Sequence, residues 1–150
     1  MLTLLSQDFT VPSQKICAVL NVAMVGSNNT DSAAMLGSIP LPRNSLDLVI
    51  MALAAHREGP RFKLDTTWDK PSHIEGWYFR SDHLPYARLG IPSIMYTSLL
   101  HDDYHTPQDN AASINYPKLK KMADWMYRTG WKVANASVRP ATDKDFKLER

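Results

Sequence analysis

The 150-residue sequence predicts an α/β fold: a mixed, mostly parallel sheet of about four strands with helices packed against it. Short apolar runs alternate along the chain with amphipathic segments in the order strand, strand, helix, strand, loop, strand, helix. The link between the first two predicted strands is too short for a helical crossover, which favours a mixed sheet over a purely parallel one.

Four segments have the composition of strands. Residues 15–25 are almost continuously apolar, as in a strand covered on both faces, and turn-forming residues 26–29 end them. Residues 33–39 and 62–67 are weaker candidates, and residues 92–98 read as a buried strand. Residues 68–80, rich in aromatic, Pro and Gly residues, predict a long irregular loop.

Two longer helices are indicated by caps and by helical spacing. The first is predicted to begin at Asn44 or Ser45 and to end at Gly59, with residues 84–89 forming a further helical turn or two. The second follows Asn115, and its apolar stripe is Leu119, Met122, Ala123, Met126, Gly130 and Val133. We expect Trp125, Tyr127 and Trp131 to pack beside this stripe and Lys118, Lys120 and Lys121 to face water.

Composition limits the classes of function. We expect one domain over residues 1–138, followed by a charged, frayed tail over residues 139–150. A net charge of +2 without a basic block argues against a nucleic-acid partner, and no apolar run reaches the roughly 18 residues of a membrane span. The sequence therefore predicts a soluble protein. Residues 1–10 lack the features of a signal peptide, and Cys17, in an apolar run, is expected to be a buried hydrophobe.

Potential ligands are concentrated between Arg80 and Asp109. This stretch holds three of the five histidines and four acidic residues, on either side of the apolar run 94–96. Such clustering can bring metal ligands and supporting carboxylates to one end of a sheet. His105 can offer a neutral imidazole to a divalent metal, although a single histidine is more often an ordinary hydrogen-bonded residue.

The spacing of these motifs resembles a known family. Ser-Asp-His at 81–83, Gly-Ile-Pro at 90–92 and Asp-Tyr-His-Thr-Pro at 103–107, followed by Asp109, are similar to the C-terminal signature of the co-catalytic zinc aminopeptidases, family twenty-eight of the metallopeptidases. That family resembles the glutaminyl cyclases in fold and site. The apolar strand at 18–26 and the Ile-Asn-Tyr at 114–116 extend the resemblance to roughly residues 1–135. It implies half of a zinc-exopeptidase (phosphorylase/hydrolase-like) fold.

The resemblance also implies roles for individual residues. His105 corresponds to the last zinc ligand, Tyr104 to the tyrosine that helps bind the oxyanion, and Asp82 to a buried supporting carboxylate. The expected catalytic residues are thus Tyr104 and Asp82, and the expected metal ligand is His105. The expected substrate-binding residues are Phe79, Tyr86 and His101.

The sequence departs from the family pattern at several ligand positions. Ala23 stands where the family carries a zinc-binding aspartate, and no histidine or glutamate precedes Lys15 to supply the histidine-x-aspartate and Glu-Glu motifs. Asp8 is the one acid before Lys15. The expected cofactor is therefore zinc by resemblance, held weakly or not at all by this chain alone.

Three functions follow as alternatives. The chain is a portion of a zinc-dependent aminopeptidase that hydrolyses N-terminal peptide bonds by metal-activated water and is not competent alone. Alternatively, it is a non-catalytic remnant that binds a partner or forms a homo-oligomer through an exposed sheet edge. In the third reading it is a metal-independent hydrolase that uses Asp82, His83, Tyr104 and His105. The expected substrate is a peptide or small amide. The family is often secreted or periplasmic, but the compartment of this chain stays open.

Overall fold

The fold is seen in a computed structural model that describes residues 11–39 and 43–148. Its centre is a four-stranded sheet with the strand order β1-β4-β2-β3. The strands are β1 (Val19–Ala23), β2 (Ser32–Leu36), β3 (Lys63–Leu64) and β4 (Ser93–Thr97). Three lie within the segments predicted from sequence, and β2 begins one residue before its predicted segment, at Ser32.

The sheet is mixed, as predicted. β1 runs parallel to β4 with Val19 opposite Ser93, and β2 runs parallel to β3. β2 is antiparallel to β4, with Ala34 opposite Thr97. Because β4 lies between β1 and β2, the two strands that are consecutive in sequence do not pair with each other. The predicted α/β fold class is confirmed.

In the part of the chain that the structure describes, three α-helices accompany the sheet: α1 (Leu46–Glu58), α2 (Leu84–Arg88) and α3 (Tyr116–Ala134). The Ser45 hydroxyl accepts a hydrogen bond from Leu48 N at the start of α1, and the Asn115 side chain accepts one from Lys118 N at the start of α3. These caps are the ones that the sequence predicted. Short 3-10 turns occupy Ser13–Lys15, Thr67–Asp69, Trp77–Phe79 and Ala111–Ser113.

Helix α3 lies over the seam between β1 and β4. The Tyr96 hydroxyl on β4 donates a 2.8 Å hydrogen bond to Thr129 Oγ1, and a Cβ at Gly130 would lie 3.7 Å from Leu20 Cδ1 on β1. The Trp125 ring packs against Tyr96 at 4.7 Å between ring centroids. On the opposite face of the sheet, Trp77 and Tyr78 pack with Met95 and with residues of β2.

Several side chains are placed differently from the sequence-based expectation. Cys17 is exposed, because strand pairing begins only at Val19. Lys118 is fully buried, since its Nζ donates hydrogen bonds to the carbonyls of Asn29 and Ser32. Tyr127 and Trp131 point outward and are 66% and 61% exposed, whereas Trp125 is buried as predicted.

The C-terminal segment is held against the domain rather than frayed. Arg139 donates hydrogen bonds to the carbonyls of Gln14 and Ile16. Asp143 accepts a hydrogen bond from Leu46 N and donates its own backbone N–H to Asn44 O. The expectation of a frayed end is therefore wrong for residues 139–148, and the domain division at residue 138 stays a prediction. Among the helices that are described, none is long and apolar enough to cross a membrane.

Candidate functional site

The loop that follows β4 is anchored beside the carboxyl end of β1. Asn28 Nδ2 donates hydrogen bonds to Ser98 O at 2.8 Å and to Leu100 O at 2.7 Å. Ser98 N in turn donates to the carbonyl of Met24, the residue that follows β1. Because β1 and β4 are parallel, these bonds bring the two carboxyl ends together, which is where ligands bind in many α/β sheets.

Tyr104 and His105 lie in this loop with their rings stacked. The ring centroids are 3.8 Å apart and the planes differ by 19°. His105 has a φ of 59°, in the left-handed region, which costs a non-glycine residue roughly 1 kcal/mol. The hydrogen bonds from Tyr104 N to His101 O and from Thr106 N to Asp103 O enclose this turn and hold it.

His101 belongs to the same cluster. Its ring meets the Tyr104 ring edge-on at a centroid distance of 6.3 Å, and its Nε2 lies 3.8 Å from Asp109 Oδ2. The structure thus brings together three of the predicted site residues, namely His101, Tyr104 and His105.

Asp82 and Tyr86 lie elsewhere, in an open groove of about 450 Å³ beside β1. Asp82 is exposed, which contradicts the prediction of a buried supporting carboxylate. The chain turns so that Ser81 faces the sheet instead, and its Oγ accepts a 2.7 Å hydrogen bond from Asn21 Nδ2. Because Asn21 lies in the middle of β1, the groove is separate from the loop beyond the carboxyl ends.

His83 is a core residue. Its side chain is 0% exposed and packs edge-on against Tyr78 at a centroid distance of 4.7 Å. Burial lowers the pKa of His83 to about 4, so the imidazole is neutral at neutral pH. A buried ring cannot reach a substrate, and the predicted metal-independent set of Asp82, His83, Tyr104 and His105 does not form one cluster.

Phe79 lies on the far side of the sheet. It packs edge-on against Tyr78, and the Arg43 guanidinium lies 5.8 Å from its ring centroid. Arg43 donates to the carbonyl of Ile39, which follows the carboxyl end of β2. Since β2 is antiparallel to β4, this position is at the opposite end of the sheet from Tyr104 and His105.

A buried carboxylate that was not predicted from the sequence, Asp69, lies at that opposite end. Asp69 accepts hydrogen bonds from the backbone N–H groups of Gly37, Ser38 and Ile39 at 2.8, 2.6 and 2.7 Å, and from Ser38 Oγ at 2.9 Å. Burial raises the pKa of Asp69, and these hydrogen bonds together with nearby Arg43 oppose the shift. The sequence feature that could have indicated this contact is the Gly37-Ser38 pair directly after β2. The arrangement closes the end of β2, because both carboxylate oxygens accept hydrogen bonds from the residues that follow the strand.

The residues present do not fit a zinc ion. Within residues 11–39 and 43–148, no three side chains of His, Cys, Asp or Glu are grouped so that they could hold a metal. Ala23, at the carboxyl end of β1, has no donor atom, and His105 belongs to no such group of three. Zinc sites in proteins use three or four protein ligands, so His105 by itself is insufficient.

Comparison with known proteins gives two findings. The model of peptidase family M28 matches residues 3–129. Among solved structures, the fold is similar to that of the aminopeptidase from Aneurinibacillus sp. strain AM-1, with a TM-score of 0.64 and 19% sequence identity. The match covers 95% of this chain and 30% of the aminopeptidase chain. No curated protein gave a significant match.

Proposed function

The chain belongs to peptidase family M28, as its motifs predicted, and on this premise we propose that it forms one part of a peptidase site and does not hydrolyse peptides alone. The observation that carries this proposal is the anchored loop at the carboxyl ends of β1 and β4. It presents Tyr104 and His105 together, and the described residues hold no group of three or more possible metal donors.

In this proposal Tyr104 and His105 form one wall of a site for peptides with a free N-terminus. The Tyr104 hydroxyl is a hydrogen-bond donor suited to a developing oxyanion, and its stacking against His105 limits the directions in which it can point. Hydrolysis of an amide further requires a base and an electrophile, and those groups come from outside the described residues. The substrate class follows from the family and from the aminopeptidase that the fold resembles.

The purified chain tests this proposal directly. We expect no release of aniline from aminoacyl anilides, with or without added zinc, and a substoichiometric zinc content by elemental mass spectrometry. The variants His105→Ala and Tyr104→Phe should be indistinguishable from the unmodified chain in the same assay.

Two results would contradict the proposal. Turnover that chelation abolishes and that His105→Ala also abolishes would show a competent metal site. Turnover that survives chelation would favour the metal-independent hydrolase. In that case Asp82→Asn, at the exposed carboxylate in the groove, would be the first variant to examine.

A further inference from the structure

Left-handed backbone conformations are concentrated in the two segments that follow β1 and β4. In the part of the chain that the structure describes, four of the five non-glycine residues with positive φ lie there, namely Met24 at 55°, Asn28 at 63°, Leu99 at 72° and His105 at 59°. Asparagine adopts this conformation more readily than most residues, whereas methionine and leucine adopt it only where surrounding contacts fix it. The contacts between these two segments therefore determine how the chain runs beside the candidate site.

The side chain of Asn28 holds the loop after β4 on both sides of Leu99. Its Nδ2 donates one hydrogen bond to Ser98 O at 2.8 Å and another to Leu100 O at 2.7 Å. The N–H of Leu99 donates to Thr97 Oγ1 at 2.9 Å, within the same turn. A side-chain amide carries two N–H donors on one nitrogen, and the Asn28 amide uses both of them. Of the short polar side chains, asparagine is the one that can donate twice from one atom.

The turn that contains Asn28 is itself fixed to the start of α3. Asn115 N donates to Gly26 O at 2.8 Å, and Asn115 Nδ2 donates to Thr30 Oγ1 at 2.8 Å and to Asn28 O at 3.5 Å. The Asn115 side chain also caps α3. The position of Asn28 is thus set by the end of a helix, and Asn28 in turn sets the position of the loop.

The turn that carries Tyr104 and His105 begins directly after Leu100. Hydrogen bonds of 3.1 and 3.0 Å within residues 101–106 close this turn on itself. The side chain of Leu100 packs against the core on one face of the sheet, which fixes the depth of the chain there. The Asn28 bonds fix its direction, because hydrogen bonds depend on angle and apolar contacts do not.

We propose that Asn28 is the positioning residue of the candidate site: its side-chain amide holds the loop in the orientation that presents Tyr104 and His105. Asn28 acts through the loop rather than on a substrate. The chemistry assigned to the two rings rests on the proposed function, but the orientation of the loop can be measured without any turnover.

Two variants remove the Asn28 bonds in different ways. Asn28→Asp keeps the size of the side chain and its compatibility with a positive φ, but it places an acceptor opposite two carbonyl oxygens. Asn28→Gly also accepts the backbone conformation and has no side chain, so it tests the bonds without adding a charge. Asn29→Asp is the matched control, because Asn29 Oδ1 accepts from Asp31 N at 2.7 Å and an aspartate oxygen can accept the same bond.

NMR order parameters of backbone N–H groups report whether the loop is held. In the unmodified chain and in Asn29→Asp, we expect values of about 0.85 at Tyr104 and His105, as in rigid backbone. In both Asn28 variants we expect values below about 0.6, as in flexible backbone. A general loss of stability would leave the order parameters of the folded state unchanged, so this measurement separates positioning from a structural role.

Hydrogen exchange tests the contact itself. The N–H of Ser98 donates to Met24 O at 2.9 Å, beside the two Asn28 bonds. It should exchange about tenfold faster in both Asn28 variants, because the loss of two neighbouring hydrogen bonds eases local opening. The N–H of Tyr96, in the central strand β4, should exchange at an unchanged rate.

Three results would overturn the assignment of Asn28. They are rigid Tyr104 and His105 N–H groups in both Asn28 variants, equal mobility in Asn29→Asp, and an equal increase in exchange at Tyr96. Each of these would leave the proposed function standing. Peptide turnover by the unmodified chain would instead overturn the proposed function and leave the assignment standing, because neither measurement uses a substrate.

Discussion

The side-chain carboxylate of Asp69 accepts a 2.8 Å hydrogen bond from the backbone N–H of Gly37, the residue that follows β2. Gly37 has a φ of 108°, a conformation that a side chain would disfavour, and a Cβ there would lie 3.3 Å from Ser93 O. The 3-10 turn Thr67–Asp69 thus closes the end of β2 through the buried carboxylate of its last residue.

Replacing this carboxylate should destabilise the fold. In Asp69→Asn an amide N–H₂ would face backbone N–H donors, so at least one buried donor loses its acceptor. We expect the free energy of unfolding to fall by about 3 kcal/mol in urea titration. Asp102→Asn, at an exposed position, is the control and should change it by less than about 0.5 kcal/mol. Equal stability of the two variants would show that the Asp69 contacts contribute little.

Lys118 makes a second buried polar contact, and its loss should also be measurable. Its Nζ donates to Asn29 O at 2.7 Å and to Ser32 O, and burial lowers the pKa of the amine to about 8. Lys118→Met keeps the apolar stem but leaves both carbonyls without this donor. We expect a loss of about 2 kcal/mol by chemical denaturation, against little change for the exposed Lys120→Met. Similar losses for both would argue for an effect of helix composition instead.

These two residues also show how far the sequence could predict the structure. The strands and helices, their caps and the family were predictable because periodicity and motif spacing are local signals. Lys118 was misplaced because its burial depends on carbonyls 86 and 89 positions away in sequence. The Asp69 contacts are equally non-local, joining positions about 30 residues apart. The exposure of Asp82 was missed because a motif fixes the order of residues but not which of them turns toward the sheet.

Lowering the pH should reduce the free energy of unfolding, because the buried His83 imidazole resists protonation in the folded chain. The pKa of its imidazole is 6.5 when unperturbed and about 4 in the folded chain because of burial. The unfolded chain therefore binds the proton first, so stability is complete above pH 6.5 and falls as the pH is lowered toward 4. Between pH 8 and pH 5 the loss should be about 2 kcal/mol. In His83→Phe the free energy of unfolding should depend less steeply on pH. The dependence that remains is due to His56, because burial also lowers the pKa of that imidazole. An unchanged slope in His83→Phe would contradict this assignment.

The two tryptophans of α3 differ in burial, and we expect them to differ in their contribution to the free energy of unfolding. Trp125 is fully buried, and its Nε1 donates a 2.8 Å hydrogen bond to Ala52 O on α1. Trp125→Phe removes that bond and leaves a cavity, and should cost about 3 kcal/mol in thermal or urea unfolding. Trp131→Phe, at a position 61% exposed, should cost less than about 0.5 kcal/mol. A comparable cost at both positions would mean that Trp131 is covered in solution.

Chelation should leave the stability of the chain unchanged. A metal that binds the folded state raises the melting temperature by mass action, and a structural zinc site is lost with its folding energy when the metal is removed. The described residues hold no group of three or more possible donors, so neither effect is expected. Differential scanning fluorimetry with EDTA, and separately with added zinc, should give the same midpoint as buffer alone. A saturable rise with zinc that His105→Ala removes would show that His105 finds further ligands, and the chain would then carry a metal site of its own.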